Sequence, residues 1–216
     1  NELKQTGAVQ PMTFDDVTVC FTDFAGFTLS SEKIAAADLV ATLDEYFTAF
    51  DAIVSRYGLE KLKTIGDAYM FAGGLPSAKS SHAVDAVLAA LEIVEKAQQL
   101  SLRHAELQWK IRVGLHSGPV VAGVVGVRKF AFDIWGPTVN MASRMESSGA
   151  PGRVNISSRT HELVRDFIDC EARGPVKTKE GREFEMYFAA GPRLQLVEGA
   201  GAGVPKEFRR LYEERF

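Results

Sequence analysis

Apolar residues change their spacing repeatedly along the chain, and each change marks an element. Val17–Thr22 (VTVCFT) is a β-branched and apolar run that reads as a buried strand. Between residues 33 and 57, Leu39, Leu43, Phe47, Phe50 and Val54 recur at helical spacing, and Gly58 supplies a stop. Glu60–Ile65 is strand-like, Gly66-Asp67 is a two-residue hairpin turn, and Ala68–Ala72 is the returning strand. Residues 80–102 form a second amphipathic helix with Val84, Val87, Leu88, Leu91 and Val94 on one face, and Lys110–His116 is a fourth strand. Beyond it, Pro119–Gly126 and Lys129–Trp135 pair as a hairpin, and Gly136-Pro137 opens a helix that runs through Met145. A strand (Arg153–Ile156), a helix (Arg159–Asp166) and two strands (Phe167–Ala172 and Phe184–Ala189) close the pattern.

The first six elements run β-α-β-β-α-β. That order predicts an α+β fold, a ferredoxin-like βαββαβ core with an antiparallel-dominated sheet, extended by a C-terminal β/α subdomain. The turn at Gly66-Asp67 makes strands two and three antiparallel, and the topology makes strands one and three antiparallel neighbours. Residues 1–16 are polar and read as a linker to an upstream segment, and 17–190 form one domain. Residues 191–216 are a Gly-rich tail ending in a short charged helix (KEFRRLYEERF), on the surface or against a partner.

Composition removes several alternatives. A chain of 216 residues buries roughly 70 % of its unfolded surface, so the core needs no staples. A net charge of −3 offers no global basic field for nucleic acid or an anionic membrane. No apolar run reaches the roughly 18 residues of a membrane span. The opening NELKQTGAVQP lacks the basic-then-apolar pattern of a signal peptide. Cys20 and Cys170 lie far apart in apolar surroundings, which predicts reduced core thiols in a cytosolic setting. The expected location is therefore cytoplasmic, either free or as the cytosolic part of a membrane-anchored or multidomain protein. A first residue other than Met points to a piece of something longer.

The candidate chemistry begins with two acids. Asp23 follows VTVCFT directly, and Asp67 sits in the turn between strands two and three. Because strands one and three are antiparallel neighbours, the two meet at one sheet edge. Like charges so close invite a divalent cation, and oxygen-only ligands suit Mg²⁺ or Mn²⁺. The turn in FTDFAGFT, with Phe27-Thr28 after its glycine, leads into a helix whose backbone N–H groups suit a phosphate. GGLPSAKS resembles a phosphate-binding P-loop but has Ala78 where the second glycine is required. By alternation Lys61 and Lys63 share a face of strand two. Asn140 and Arg144 are one helical turn apart, and Asp133 lies on the strand leading into that helix. Arg112 stands inside an apolar strand and needs a partner, for which a phosphate would serve.

Together FTDFAGFT, EKLKTIGDAYMFAGGLP, RVGLHSG, VVAGVVG and FDIWGPTVNMASRMES resemble the catalytic domain of class III nucleotidyl cyclases, from about Val17 to Ala189. The resemblance implies two Mg²⁺ or Mn²⁺ ions per active site, held by Asp23, Asp67 and the carbonyl of Phe24. It implies that Lys63 and Asp133 read the purine and that Arg112 contacts the terminal phosphates. Asn140 would orient the ribose and Arg144 would stabilise the transition state. A late-hairpin lysine is also implied; PVKTKEGREFEMYF offers Lys177 or Lys179. Sites in this family lie between two domains, so a homodimer is expected, with monomers inactive. The implied activity is adenylate cyclase, ATP to cyclic AMP and pyrophosphate, in signalling under an upstream sensor domain. Guanylate cyclases look to carry Glu and Cys where Lys63 and Asp133 stand, so ATP is the expected substrate.

Overall fold

In the computed structural model, residues 10–32, 34–104, 107, 109–126, 131–177, 181–193 and 206–216 are described. The first strand outruns its apolar core: β1 spans Met12–Ala25 and takes in Met12–Asp16, expected as linker. Backbone pairing explains the extension. β1 lies between β3 (Ala68–Gly73) and β4 (Lys110–Val125), antiparallel to both, and Met12–Phe14 are held by Val120–Ala122. β4 likewise fuses two strands that the pattern separates at Pro119. A proline cannot donate to the ladder, and Pro119 lies opposite an irregularity in β1 between Phe14 and Val17.

The other elements are α1 (Phe27–Ser31), α2 (Ala36–Arg56), β2 (Glu60–Ile65), α3 (His82–Arg103), β5 (Ala131–Trp135), α4 (Pro137–Ser147), β6 (Val154–Ser157), α5 (Ser158–Val164), β7 (Ile168–Lys177), β8 (Glu183–Pro192) and α6 (Lys206–Arg215). The sheet order is β2-β3-β1-β4-β6-β8-β7, with β5 paired to the distal half of β4. Among the described residues only the β4–β6 pair is parallel, so the expected antiparallel-dominated α+β sheet is the one observed.

Two cores flank the sheet. On one face, Tyr46, Phe50 and Ile53 of α2 and Val87, Ile93 and Leu100 of α3 form the larger core. On the other, Val17, Val19, Met70 and Ala72 pack against Ile134 and against Ala142 of α4. β1 alternates between them: Cys20 and Phe24 enter the larger core, Val17 and Val19 the smaller. Asp23 therefore falls on the α4 side.

A buried polar seam crosses three strands. His82 Nδ1 is 2.8 Å from Thr18 Oγ1, which is 2.7 Å from Ser117 Oγ. Ser117 continues to Thr160 (3.0 Å), Thr160 to Ser157 (3.2 Å), and Ser157 to His116 Nδ1 (2.7 Å). The charged C-terminal helix docks on its own domain. Phe208 is buried against Phe167, and the Tyr212 hydroxyl donates to Asp85 Oδ1 (2.6 Å) near the start of α3. Both cysteines are free thiols. No described helix is long and apolar enough to cross a membrane.

Candidate functional site

Asp23 stands opposite Arg112 in the β1–β4 register. Arg112 donates from Nη2 to Asp23 Oδ2 (2.7 Å) and from Nε to Glu146 Oε1 of α4 (2.7 Å). Burial opposes the guanidinium charge, but the two carboxylates outweigh it and hold Arg112 above its ordinary pKa. The partner that a strand-interior arginine requires is thus a pair of acids within the chain.

Gly66 provides the φ of +61° that the two-residue turn demands. The turn delivers Asp67 to Asp23, close enough for the Asp23 carboxylate to act on the Asp67 proton. Burial first, then Asp23, pushes the Asp67 carboxyl up to about 6, while the backbone N–H groups of Asp67 and Phe24 pull it down. Two carboxylates held this close repel each other, and a cation between them would relieve the repulsion. Among the described residues no cluster of three His, Cys, Asp or Glu could hold a metal. The oxygen-only pair fits Mg²⁺ or Mn²⁺, which complete their shells with water or substrate oxygens. Phe24 buries its ring against Tyr46 and Trp109, so only its main chain faces the acids.

The turn after Asp23 is anchored from behind. The Trp109 indole N–H donates to Ser30 Oγ of α1 (2.7 Å), and the Phe27 ring packs on Phe24 and Trp109. Phe27 therefore turns inward, whereas Thr28 is exposed. Trp109 did not stand out in the sequence; a tryptophan just before a strand was the available signal.

Lys63 Nζ donates to Asp133 Oδ2 at 2.5 Å, joining β2 to β5. Lys61 goes elsewhere, to Asp51 Oδ2 of α2 (2.7 Å). Simple alternation put both lysines on one face. The β2–β3 register shifts between them, so Lys61 lies opposite Phe71 of the larger core and Lys63 opposite Met70 of the smaller one. One extra residue exchanges faces in a lattice of period two.

Asn140 and Arg144 lie one turn apart on α4, Asn140 exposed and Arg144 half-buried. Their helix is seated by a glycine. A Cβ at Gly114 would lie 1.9 Å from the Glu146 backbone N and 2.4 Å from its Cα, so no other residue lets α4 approach β4 this closely. Glu146 is the site neighbour that sequence reading missed, although an unpartnered strand arginine was a reason to seek an acid. Lys177 is exposed at the end of β7, and Lys179 lies outside the described residues.

Residues 9–191 match the family described as the adenylate and guanylate cyclase catalytic domain. An adenylate cyclase of Mycobacterium tuberculosis is 37 % identical over 190 residues, covering 88 % of this chain and 43 % of that protein. Human retinal guanylyl cyclase 2 is 39 % identical over 196 residues, covering 88 % of this chain and 18 % of that protein. The chain thus spans less than half the length of either. Among solved structures, the guanylate cyclase domain of RhGC from Catenaria anguillulae, in complex with GTP, has a TM-score of 0.79 and 34 % identity. That likeness covers 84 % of this chain and 100 % of the other.

Proposed function

Because the chain belongs to the adenylate and guanylate cyclase catalytic-domain family, we propose that it is an adenylate cyclase domain, forming 3′,5′-cyclic AMP and pyrophosphate from ATP. The observation that carries the choice of ATP is the Lys63–Asp133 pair. Adenine presents an acceptor at N1 and a donor at its 6-amino group, matching an ammonium donor and a carboxylate acceptor. Guanine, seated the same way, reverses both, and each buried mismatch costs about 1–3 kcal/mol. The identities to adenylate and guanylyl cyclases are nearly equal, so this reading rests on the side chains rather than on the likeness.

In this reading the ribose 3′-oxygen attacks the α-phosphorus, the bond to pyrophosphate breaks, and the 3′-hydroxyl proton passes to water or substrate. Asn140 orients the ribose. Arg144 supplies positive charge where it develops on the phosphoryl oxygens, commonly worth about 3–4 kcal/mol. Asp23, Asp67 and the Phe24 carbonyl would hold two Mg²⁺ or Mn²⁺ ions, which lower the pKa of the attacking hydroxyl and neutralise the triphosphate. Arg112, and a late lysine, meet the terminal phosphates, and the Phe27-Thr28 turn meets phosphate through its backbone.

The active unit is a homodimer. One protomer offers Asp23 and Asp67; its partner offers Lys63, Asp133, Asn140 and Arg144. Val121 and Trp135, opposite each other across β4–β5, are 40 % and 43 % exposed. By alternation Trp135 shares a side of β5 with Asp133, which suits an interface beside the purine site. The domain is expected to work in the cytoplasm under an upstream sensor.

The test is turnover of ATP and of GTP with Mn²⁺ over a dilution series, scored as cyclic nucleotide. Cyclic AMP with little cyclic GMP, and specific activity falling on dilution, is expected. Cyclic GMP as the main product would replace ATP by GTP in this reading, and no cyclic product at high concentration would overturn it.

A further inference from the structure

Resting on the cyclase reading, we propose that Glu146 is a positioning residue for the reaction. It pins Arg112 by Nε so that the Nη2 end can pass from Asp23 to an anionic oxygen of the nucleotide.

The two ends of the Arg112 fork face different surroundings. Nε meets Glu146, whose side chain is 10 % exposed, while Nη2 meets Asp23, which is 28 % exposed. The anchored end is thus the drier one and the exchangeable end the wetter one. The anchor is also rigid. Gly114, two residues along β4 from Arg112 and on the same side of the strand, lets the Glu146 backbone press against β4. Glu146 is therefore fixed by main-chain packing before its carboxylate is used.

Charge points the same way. Asp23 has one Arg112 hydrogen bond, and a cation on Asp23 and Asp67 competes for that oxygen. Glu146 balances the guanidinium, so Arg112 can release Asp23 without becoming an uncompensated charge at a partly buried position. Without the Glu146 charge, the whole guanidinium falls to Asp23 and opposes cation loading. A planar fork with two separate acceptors is what this exchange needs, and arginine supplies it where lysine does not.

The probe is Mn²⁺ with 3′-deoxy-ATP or 3′-deoxy-GTP, whichever the unaltered chain binds; lacking the 3′-hydroxyl, neither can cyclise. Mn²⁺ loading is read by electron paramagnetic resonance as loss of the free aquo-ion signal. Glu146→Gln is expected to raise the Mn²⁺ concentration for half-loading about fivefold, within the range of couplings between contacting residues. In an Arg112→Met background the same change is expected to alter loading by less than about twofold, because the group it acts through is gone. Circular dichroism checks folding, and the Arg112→Gln background serves if Arg112→Met does not fold, since it too removes the cation that Glu146 acts through. Unchanged loading in Glu146→Gln overturns the proposal. So does an equal loss with and without Arg112, which would mean that Glu146 acts on the cation by its own charge. An unaltered chain that binds neither nucleotide with Mn²⁺ sinks the cyclase reading itself, a failure visible before any substitution is made.

Discussion

Asp67 sits in a hairpin turn that suits its residue type, but beside a second carboxylate. Its pKa is raised by burial and by Asp23, so stability is full below about pH 4, falls as the pH rises through about 6, and is lowest once the pair is ionised. Asp67→Asn should relieve that repulsion. At neutral pH and without divalent cation, thermal unfolding should move up by a few degrees, about 1 kcal/mol after allowing for solvent screening. Cyclase activity in the same variant should fall by at least about a hundredfold. A lower melting temperature would mean that the Asp67 carboxyl makes favourable contacts that outweigh the repulsion. His116 behaves in the opposite sense. Burial, then Arg159, lowers its pKa to about 4, and burial also lowers that of His82. An unfolded histidine takes a proton near 6.5, which the folded seam refuses. Stability is therefore full above about pH 6.5 and is lost as the pH falls toward 4. His116→Asn should flatten that loss, measured as the difference in urea midpoint between pH 7.5 and 5.0.

At the scale of elements, most of the molecule was legible because its strands and helices have clean periods. Tyr46, Phe50 and Ile53 on α2, and the Gly66-Asp67 turn, follow directly from spacing and turn chemistry. The departures share one cause, which is pairing between distant segments. β1 reaches back to Met12 because Val120–Ala122 hold it, and β4 runs through Pro119 because the β1 irregularity lies opposite. The register shift in β2 separates Lys61 from Lys63 for the same kind of reason, as only the β3 partner reveals it. In the candidate site, Asp23, Asp67, Lys63 and Asp133 could be named from sequence, whereas the Arg112–Glu146 contact could not, since it depends on how closely α4 approaches Gly114. The sequence of helix α6 suggests a charged helix on the surface or against a partner, yet its aromatic residues fasten it to Phe167 and Asp85 of its own domain. Phe208→Ala should therefore destabilise the domain by about 3 kcal/mol, measured by urea unfolding, with activity per folded molecule unchanged. An effect below about 0.5 kcal/mol would show that the helix docks without contributing to the core.

At the scale of the whole molecule, the proposal that two protomers share each site makes a quantitative demand. Asp23→Ala and Lys63→Ala should each be inactive alone. Mixed in equal amounts with subunit exchange, they should recover about a quarter of wild-type turnover, since half the dimers are mixed and each mixed dimer has one intact site of two. No recovery, with exchange confirmed, would place the site within one chain. The Lys63–Asp133 pair also bears on how nucleotide choice can change over evolutionary time. Each group's charge is balanced by the other, so any single substitution takes the counter-charge from its partner, and among the described residues Asp133 keeps only the Ile134 N–H. The two intermediates are unequal, because the Lys63 side chain is 39 % exposed and that of Asp133 only 17 %. A stranded lysine can turn to water, while a stranded carboxylate stays partly dry. Mutational routes to a different base are thereby given a direction: Asp133 is the position free to drift first, and Lys63 can follow only once the acid has gone.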